Sequence, residues 1–536
     1  MSSISSLRFR RSAAQLHALA EVARTIRATD TKSRRKYLRE FSEAFRTYRR
    51  VLPFAEFEAR VAQCDVILVA DYHALPASQR FTAELIYRMA RSGRTIVLGV
   101  EAIVARDQHI IDEWQRGEID THELCSRIRF ETDWGYDWQP FRELLETARA
   151  IGAPIFGLDC TPRQDMRSIR TRDQHAAAKI AKLRNANPDA QLVVLFGESH
   201  LAPEHLPRLV RTLCPRDKIF TVLQNVDELY WLSAGEPDDL VEAVDVEDDV
   251  ACVFSATPLE KYEHYRLCIE RWKQSRAGSL DLAPSFYNLI GSLFRFLNVN
   301  LYGSGARVLV DELPEVWSVT NEEQLERLLA RRMSTRAREI QQMIEKQGSW
   351  FVGDRNVIVA REFRMPWAAE QAARFVHRAC RRGIAVHHAP EDEFYADIME
   401  TALAFVGSKI LCPSRKLYDE TQLLLDCSRD LDIPAFASVR GSRQTIVHAL
   451  HWFDVSHAKL DRILLDPPRR EIAVKLLGHL LGSKLYTAYV NGQITKRLLR
   501  SFFFRDLSKA GNALAVYARA RRATTPPTLK QPQVLS

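Results

Sequence analysis

The chain has 536 residues, of which 46% are hydrophobic and 27% charged. That balance is ordinary for a folded globular protein and excludes disorder over the whole length. The length exceeds what one core usually holds, so two or more domains are expected. The net charge of +8 is a mild excess at this length. It permits contact with nucleic acid or anionic lipid but argues for neither.

In chain order, residues 1–58 read as a basic helical segment. Within RRKYLREFSEAFRTYRRVL, Tyr37, Phe41, Phe45 and Tyr48 recur at steps of three and four, opposite an arginine-rich face. Such a helix either lies on a membrane or partner, or packs on its own domain with a solvated face; the second reading is preferred. The first thirty residues carry no apolar segment of secretory type. No run reaches the ~18 apolar residues of a membrane span. Nine cysteines, an odd number without CxxC spacing, fit free thiols in a reducing compartment. A soluble, cytoplasmic protein is expected.

From 59 to 257 short apolar runs alternate with helical patterns. The runs are DVILVA (65–70), TIVLGV (95–100), PIFGL (154–158), QLVVLF (191–196), IFTVL (219–223) and VACVF (250–254). Two of the intervening helices should close at Gly93 and Gly152. Runs of this kind fit strands buried on both faces, and the alternation predicts an α/β domain with a mainly parallel sheet and flanking helices.

From 258 to 520 the pattern becomes mostly helical, and no role for it follows from the residues. One helix should begin at a capping box of Thr320 and Glu323 and end at Gly348. Another should have Pro366 in its first turn and Gly383 after its last. DEFYADIMETALAFVG and KLYDETQLLLDCSRDL read as further helices, and NVIVA and AFASV as short strands. Residues 521–536 are polar and proline-containing, as in a disordered tail.

In an open parallel sheet, ligands meet the carboxyl ends of the strands. Here those ends carry Asp71, Tyr72 and His73; Glu101; Asp159 and Cys160; Gly197, Glu198, Ser199 and His200; and Gln224 with Asn225. A strand often ends in a polar residue simply because it leaves the core. Repetition over successive strands points instead to a shared site. Two imidazoles with several carboxylates suit either a divalent metal or acid–base chemistry. Gly197, lacking Cβ, suits close approach of the backbone to a ligand.

These residues also carry a resemblance. The segment from about 60 to 255 resembles the ChaN-like haem-binding uptake domain, in the superfamily that includes Tiki-type proteases, TraB-like proteins and erythromycin esterases. The hallmark is a pair of GxxH motifs with a glutamate after the strand between them. Here they are A-D-Y-H (Ala70 to His73), Glu101 in VLGVEAI, and G-E-S-H (Gly197 to His200). WGYDWQPFRELLETARAIGAPIFGLDCTPR and the Arg172-led TRDQHAAAKIAKL resemble the family's middle. The first motif departs from the pattern, with Ala70 in place of glycine and Asp71 where many members have glutamate. The shorter acid would set a base or ligand ~1.5 Å further back.

From this chemistry His73, Glu101 and His200 are candidate ligands for zinc, manganese or iron. His73, His200 and Tyr136 are candidates to hold haem. Glu101, Asp71, Glu198 and Arg172 are candidate catalytic groups: Glu101 as a base, Asp71 and Glu198 to orient the histidines or activate water, and Arg172 for oxyanion stabilisation. For Tyr136 the preferred reading is an aromatic packed in WGYDW, and Arg172 reads equally as a salt-bridge residue on an exposed helix face. Three functions follow as expectations: a metal-dependent hydrolase of peptidase or esterase type, a haem-binding protein, or a non-enzymatic interaction module. The substrate is open and a homo-oligomer is compatible with the sequence.

Other clusters read more plainly. His387, His388 and the acids after them suit a loop and the acidic first turn of a helix. His448, His451 and His457 lie on an amphipathic pattern without HExxH. There is no P-loop, no GxGxxG after a strand and no GxSxG elbow. ARRMSTRAR lacks interleaved aromatics, so no nucleic-acid partner is expected.

Overall fold

The computed structural model describes residues 2–29, 36–161, 169–237, 240–273, 280–299, 313–319, 323–327, 337–381, 389–419 and 467–525. The chain divides into two compact units. One comprises Leu19–Ala277 with residues 3–8, the other Gly278–Ser536 with residues 9–18.

The first unit is an α/β fold. Its strands are β1 (Arg50–Val51), β2 (Val66–Asp71), β3 (Ile96–Val104), β4 (Ile155–Asp159), β5 (Gln191–Gly197), β6 (Ile219–Gln224), β7 (Ala243–Glu247) and β8 (Val250–Val253). They form one sheet in the order β1-β7-β8-β6-β2-β5-β3-β4. From β8 to β4 every pairing is parallel, whereas β7 runs antiparallel to both β1 and β8. The helices are α1 (Ser2–Thr29, of which residues 9–18 belong to the other unit), α2 (Lys36–Ala44), α3 (Phe54–Val61), α4 (Pro76–Arg91), α5 (Gln108–Arg116), α6 (Thr121–Arg127), α7 (Trp138–Ala150), α8 (Ile169–Ala186), α9 (Leu206–Leu213), α10 (Asp227–Ser233) and α11 (Pro258–Lys273).

The six apolar runs are the six parallel strands, and the reason is burial on both faces. Ile67, Val69, Val193 and Leu195 belong to one core, with Ile86, Phe141 and Leu144 from the helices. Val66, Leu68, Val194 and Phe196 belong to the other, with Ala176, Ile180 and Val210. Successive side chains alternate between the faces, so only a continuous apolar run satisfies both. Gly93 and Gly152 follow α4 and α7 with φ of +86° and +71°, a backbone that favours glycine.

Two strands escape the sequence pattern. β1 has two residues, and β7 (AVDVE) interleaves acids with apolar residues. Its Asp245 is tolerated because Arg60 pairs with it at 2.7 Å. The helix expected to run on to residue 58 stops at Ala44; β1 then pairs with β7, and Pro53 precedes α3. α2 nevertheless packs on its own unit, because Phe41 and Phe45 are buried in the second core. After β8, Thr257 caps α11. Its hydroxyl accepts the Glu260 N–H at 3.2 Å, and the Glu260 carboxylate is bonded by the Thr257 N–H, a capping box.

The second unit is largely helical. Its helices among the described residues include Ala283–Phe296, Ala337–Gln347, Met365–Cys380, Pro390–Leu411, Pro467–Val490, Lys496–Phe503 and Asn512–Thr524. A small sheet joins β9 (Glu315–Ser318), β10 (Ser349–Val352) and β11 (Val357–Ala360), with β11 central. Gly348 closes Ala337–Gln347 at φ +80°, and Pro366 lies in the first turn of Met365–Cys380, both as expected. At its centre, buried Glu370 pairs with Arg415 at 2.6 Å and Arg374 at 3.1 Å. Thr320, Gly383, His387, His388, the AFASV segment, His448, His451, His457, most of KLYDETQLLLDCSRDL and residues 526–536 lie outside the described residues. Among the described residues eight cysteines are free, and no helix is long and apolar enough to cross a membrane.

Glu260 yields a pH test of the fold. Burial pushes its carboxyl up to about 7 from the ordinary 4.5. A carboxyl with a raised folded pKa stabilises least when charged. Stability should therefore fall as pH rises from 4.5 towards 7, by at most ~3 kcal/mol. Glu260→Gln keeps the capping box and removes the charge. Its thermal midpoint should exceed that of the native protein at pH 8 and match it at pH 4; an equal gain at both pH values would refute this origin.

Candidate functional site

The sheet brings the expected strand ends together. Asp71 is the last residue of β2, and His73 lies in the turn before α4. β3 runs on past Glu101 to Val104, and its pairing with β4 is irregular between Val100 and Val104. Glu101 is therefore carried where that pairing shifts, not beyond the end of the strand. Asp159 ends β4 and Gly197 ends β5. The short 3-10 turn Glu198–Leu201 carries His200, and α8 carries Arg172 and Asp173.

Glu101 is the centre. It is buried, and both its oxygens are held. The Gly197 N–H donates to Oε2 at 2.5 Å and Arg172 Nη2 donates to Oε1 at 2.5 Å. Arg172 also donates from Nε and Nη2 to the two oxygens of Asp159, each at 2.8 Å. Burial alone would raise the Glu101 pKa; His200, His73, Arg172 and the Gly197 N–H together lower it to about 2.

A histidine stands on each side of this carboxylate. His73 Nδ1 meets Asp71 Oδ2 at 2.8 Å, and His200 Nδ1 meets Asp173 Oδ1 at 2.5 Å. An ionised carboxylate only accepts, so each Nδ1 carries a proton. The other ring nitrogens face Glu101, with His73 Nε2 3.8 Å from Oε2 and His200 Nε2 3.7 Å from Oε1. Burial opposes charge on His73, but Asp71 and Glu101 outweigh it and raise its pKa. Four carboxylates share this network with one guanidinium, Glu101 and Asp159 bonded to it and Asp71 and Asp173 bonded to the histidines, so the cluster carries a formal negative excess while the imidazoles are neutral.

The departures in the first motif acquire a physical meaning here. Asp71 does not face Glu101: one oxygen holds His73, and the other accepts from Gln79 on α4. The shorter acid acts as the support of a histidine. Gly197 serves Glu101 directly. A Cβ there would stand 3.0 Å from Glu101 Oε2 and 3.1 Å from His73 Nε2.

Glu198 turns away from this centre. It pairs with Lys261 of α11 at 3.1 Å, and Lys261 lies 4.4 Å from the centre of the Tyr72 ring. Burial raises the Glu198 pKa despite that pairing. Tyr136 lies beside the site, with its ring 5.2 Å from His73 and 5.4 Å from Trp272; Trp134 is 4.5 Å from His73. Burial raises the Tyr136 pKa, so the hydroxyl stays protonated. Arg172 is buried and committed to Glu101 and Asp159 rather than lying on an exposed helix face. Gln224 donates to the Ala70 and Ser78 carbonyls, and Asn225 accepts from the Ser255 and Ala256 N–H groups, so both serve the backbone.

Asp173, Gln79 and Lys261 were not anticipated. Asp173 adjoins Arg172 in TRDQH, but nothing in a helical stretch tells which of its charges turn inward. Among the described residues no group of three or more histidine, cysteine, aspartate or glutamate side chains is already arranged to hold a metal ion. The donor set still suits a cation. Separations of 3.7 and 3.8 Å exceed a hydrogen bond. They lie within the span of one ion bonded to each donor at ~2.1 Å.

Residues 57–192 match the family model described as haem-binding uptake, Tiki superfamily, ChaN. The matched stretch includes Asp71, His73, Glu101 and Arg172 and ends before Gly197 and His200. Two solved structures show some similarity. One, of cofacial heme binding to ChaN of Campylobacter jejuni, is 13% identical with a TM-score of 0.26, over 32% of this chain and 86% of that one. The other, the type III effector HopBA1, is 12% identical with a TM-score of 0.30, over 39% of this chain and 96% of that one. No curated protein matches the chain. Residues 57–192 of the α/β unit thus carry a ChaN-like domain of the Tiki superfamily.

Proposed function

We propose that the cluster at the carboxyl ends of the strands is a divalent-metal site, and that the protein is a metal-dependent hydrolase of peptidase or esterase type. One observation supports this above the others: two aspartate-backed imidazoles present Nε2 to the two oxygens of a single buried carboxylate. A carboxylate behind a histidine is the usual support of a metal-binding imidazole. His73, Glu101 and His200 would hold the ion, and the formal negative excess of the cluster favours a cation there. When bound, zinc, manganese or iron supplies Lewis-acid polarisation of a carbonyl and acidifies water.

The chain's own groups divide the remaining work. Asp71 and Asp173 fix the imidazole tautomers. Arg172 and the Gly197 N–H keep Glu101 ionised and stationary. The His73 side chain is 20% exposed and that of His200 only 6%, so a substrate meets the site from the His73 side. There Trp134 and Tyr136 offer flat apolar surface.

A second reading, haem binding without hydrolysis, is favoured by the family model over residues 57–192. The aromatic rings beside His73 suit a planar ligand, and His73 or Tyr136 would supply the axial atom.

Elemental analysis of the purified protein should find about one equivalent of zinc, manganese or iron, absent from a folded His73→Ala, His200→Ala variant. Absence of metal from both proteins sinks the hydrolase reading. Gly197→Ala, which crowds Glu101 and His73, should weaken metal affinity by ~10–100-fold, the scale of lost supporting contacts. Titration with haemin separates the two readings. A saturable Soret shift that needs His73 or Tyr136 selects haem; no such shift eliminates it.

A further inference from the structure

The short helix α2 lies outside residues 57–192, and nothing so far gives it a role in the site. It is anchored by Phe41 and Phe45, whose rings pack 5.1 Å apart in the second core. This anchor sets Tyr37 over the outer side of the His200–Asp173 pair. The Tyr37 hydroxyl donates to Asp173 Oδ2 at 3.2 Å, while Oδ1 holds His200. The Tyr37 ring stacks on His205 at 4.0 Å with 24° between planes, and meets His200 edge-on at 6.0 Å. His205 is held in turn by Glu40 of α2, with Nε2 3.0 Å from Oε2.

We propose that α2 is a wall of the site, and that Tyr37, stacked on His205, is a positioning residue that holds Asp173 so that His200 keeps its proton on Nδ1 and turns a bare Nε2 towards Glu101. The physical reason is that Asp173 is held at both oxygens: Oδ1 meets His200, and Oδ2 takes its proton donor from Tyr37. His205 Nδ1, 4.0 Å from Oδ2, does not replace that donor, because Glu40 draws the proton of a neutral His205 to Nε2. Without the phenol, Oδ2 loses its donor and the carboxylate is free to turn. His200 then loses the acceptor that selects its tautomer. Burial and the neighbouring Asp173 keep the Tyr37 hydroxyl protonated, so it acts as a donor throughout the physiological range. The consequence for ligand binding rests on the metal reading above; the tautomer itself does not.

The test uses full-length protein with ring-15N histidine and no added metal. Of the 15 histidines, His200 is assigned by the signals lost in His200→Ala. The native protein should show a protonated Nδ1 and a bare Nε2 at this residue. Tyr37→Phe keeps the ring on His205 and removes only the hydroxyl, so it should stay folded and lose the single tautomer, with the proton shared between both nitrogens. Tyr37→Leu, which also loses the stack, should do the same. An unchanged Nδ1–H tautomer in folded Tyr37→Phe, or an Nε2–H tautomer in the native protein, overturns the proposal. Cobalt(II) titration of the same proteins, read by visible absorption, judges the metal reading separately. There Tyr37→Phe should bind ~10-fold more weakly. Absence of cobalt binding in the native protein would remove the metal reading and leave the tautomer result standing.

Discussion

A carboxylate buried at the end of a sheet has to be paired, and the pairing of Glu101 organises the first unit. Removing a carboxylate from water costs several kcal/mol unless charge and hydrogen bonds replace the solvent. Glu101 meets this demand with Arg172 from α8 and the Gly197 N–H from β5. Those contacts tie β3, β4, β5 and α8 to one point, because Arg172 also binds Asp159. The histidines then fall into place as the third and fourth neighbours. The result resembles a preorganised donor set more than a salt-bridge network serving stability alone, since the two Nε2 atoms are aimed at Glu101 without bonding to it.

The site is asymmetric, and the asymmetry comes from the supports. His73 and its Asp71 belong to one turn after β2, with Gln79 behind them. His200 takes its support from α8 and, beyond it, from α2. One imidazole is therefore part-exposed beside aromatic rings, and the other is closed in. The neighbouring ion pair of Glu198 with Lys261 draws α11 into the same unit, and Trp272 of α11 packs against Tyr136.

Much of this was legible before any coordinates. The six apolar runs had to be strands buried on both faces, so their polar ends had to share an edge. His73, Glu101 and His200 were found this way. The roles of their neighbours stayed open. Asp71 and Glu198 both read as residues that orient a histidine or activate water. In the structure Asp71 meets His73, and Glu198 pairs with a lysine sixty-three residues later. β7 stayed hidden because Arg60, distant in sequence, neutralises the acid that broke its pattern.

The sequence by itself determined the six parallel strands, the one edge that their polar ends share and the three residues that this edge brings together. These depend on periodicity and on the local rule that a buried strand is apolar until it leaves the core. Only the tertiary structure decided which acid serves which base. Asp173 behind His200, Lys261 on Glu198 and Tyr37 on Asp173 join residues 27, 63 and 136 positions apart. Such pairings are set by the side of each helix that faces the sheet and by competition among buried charges, and neither is written in local spacing.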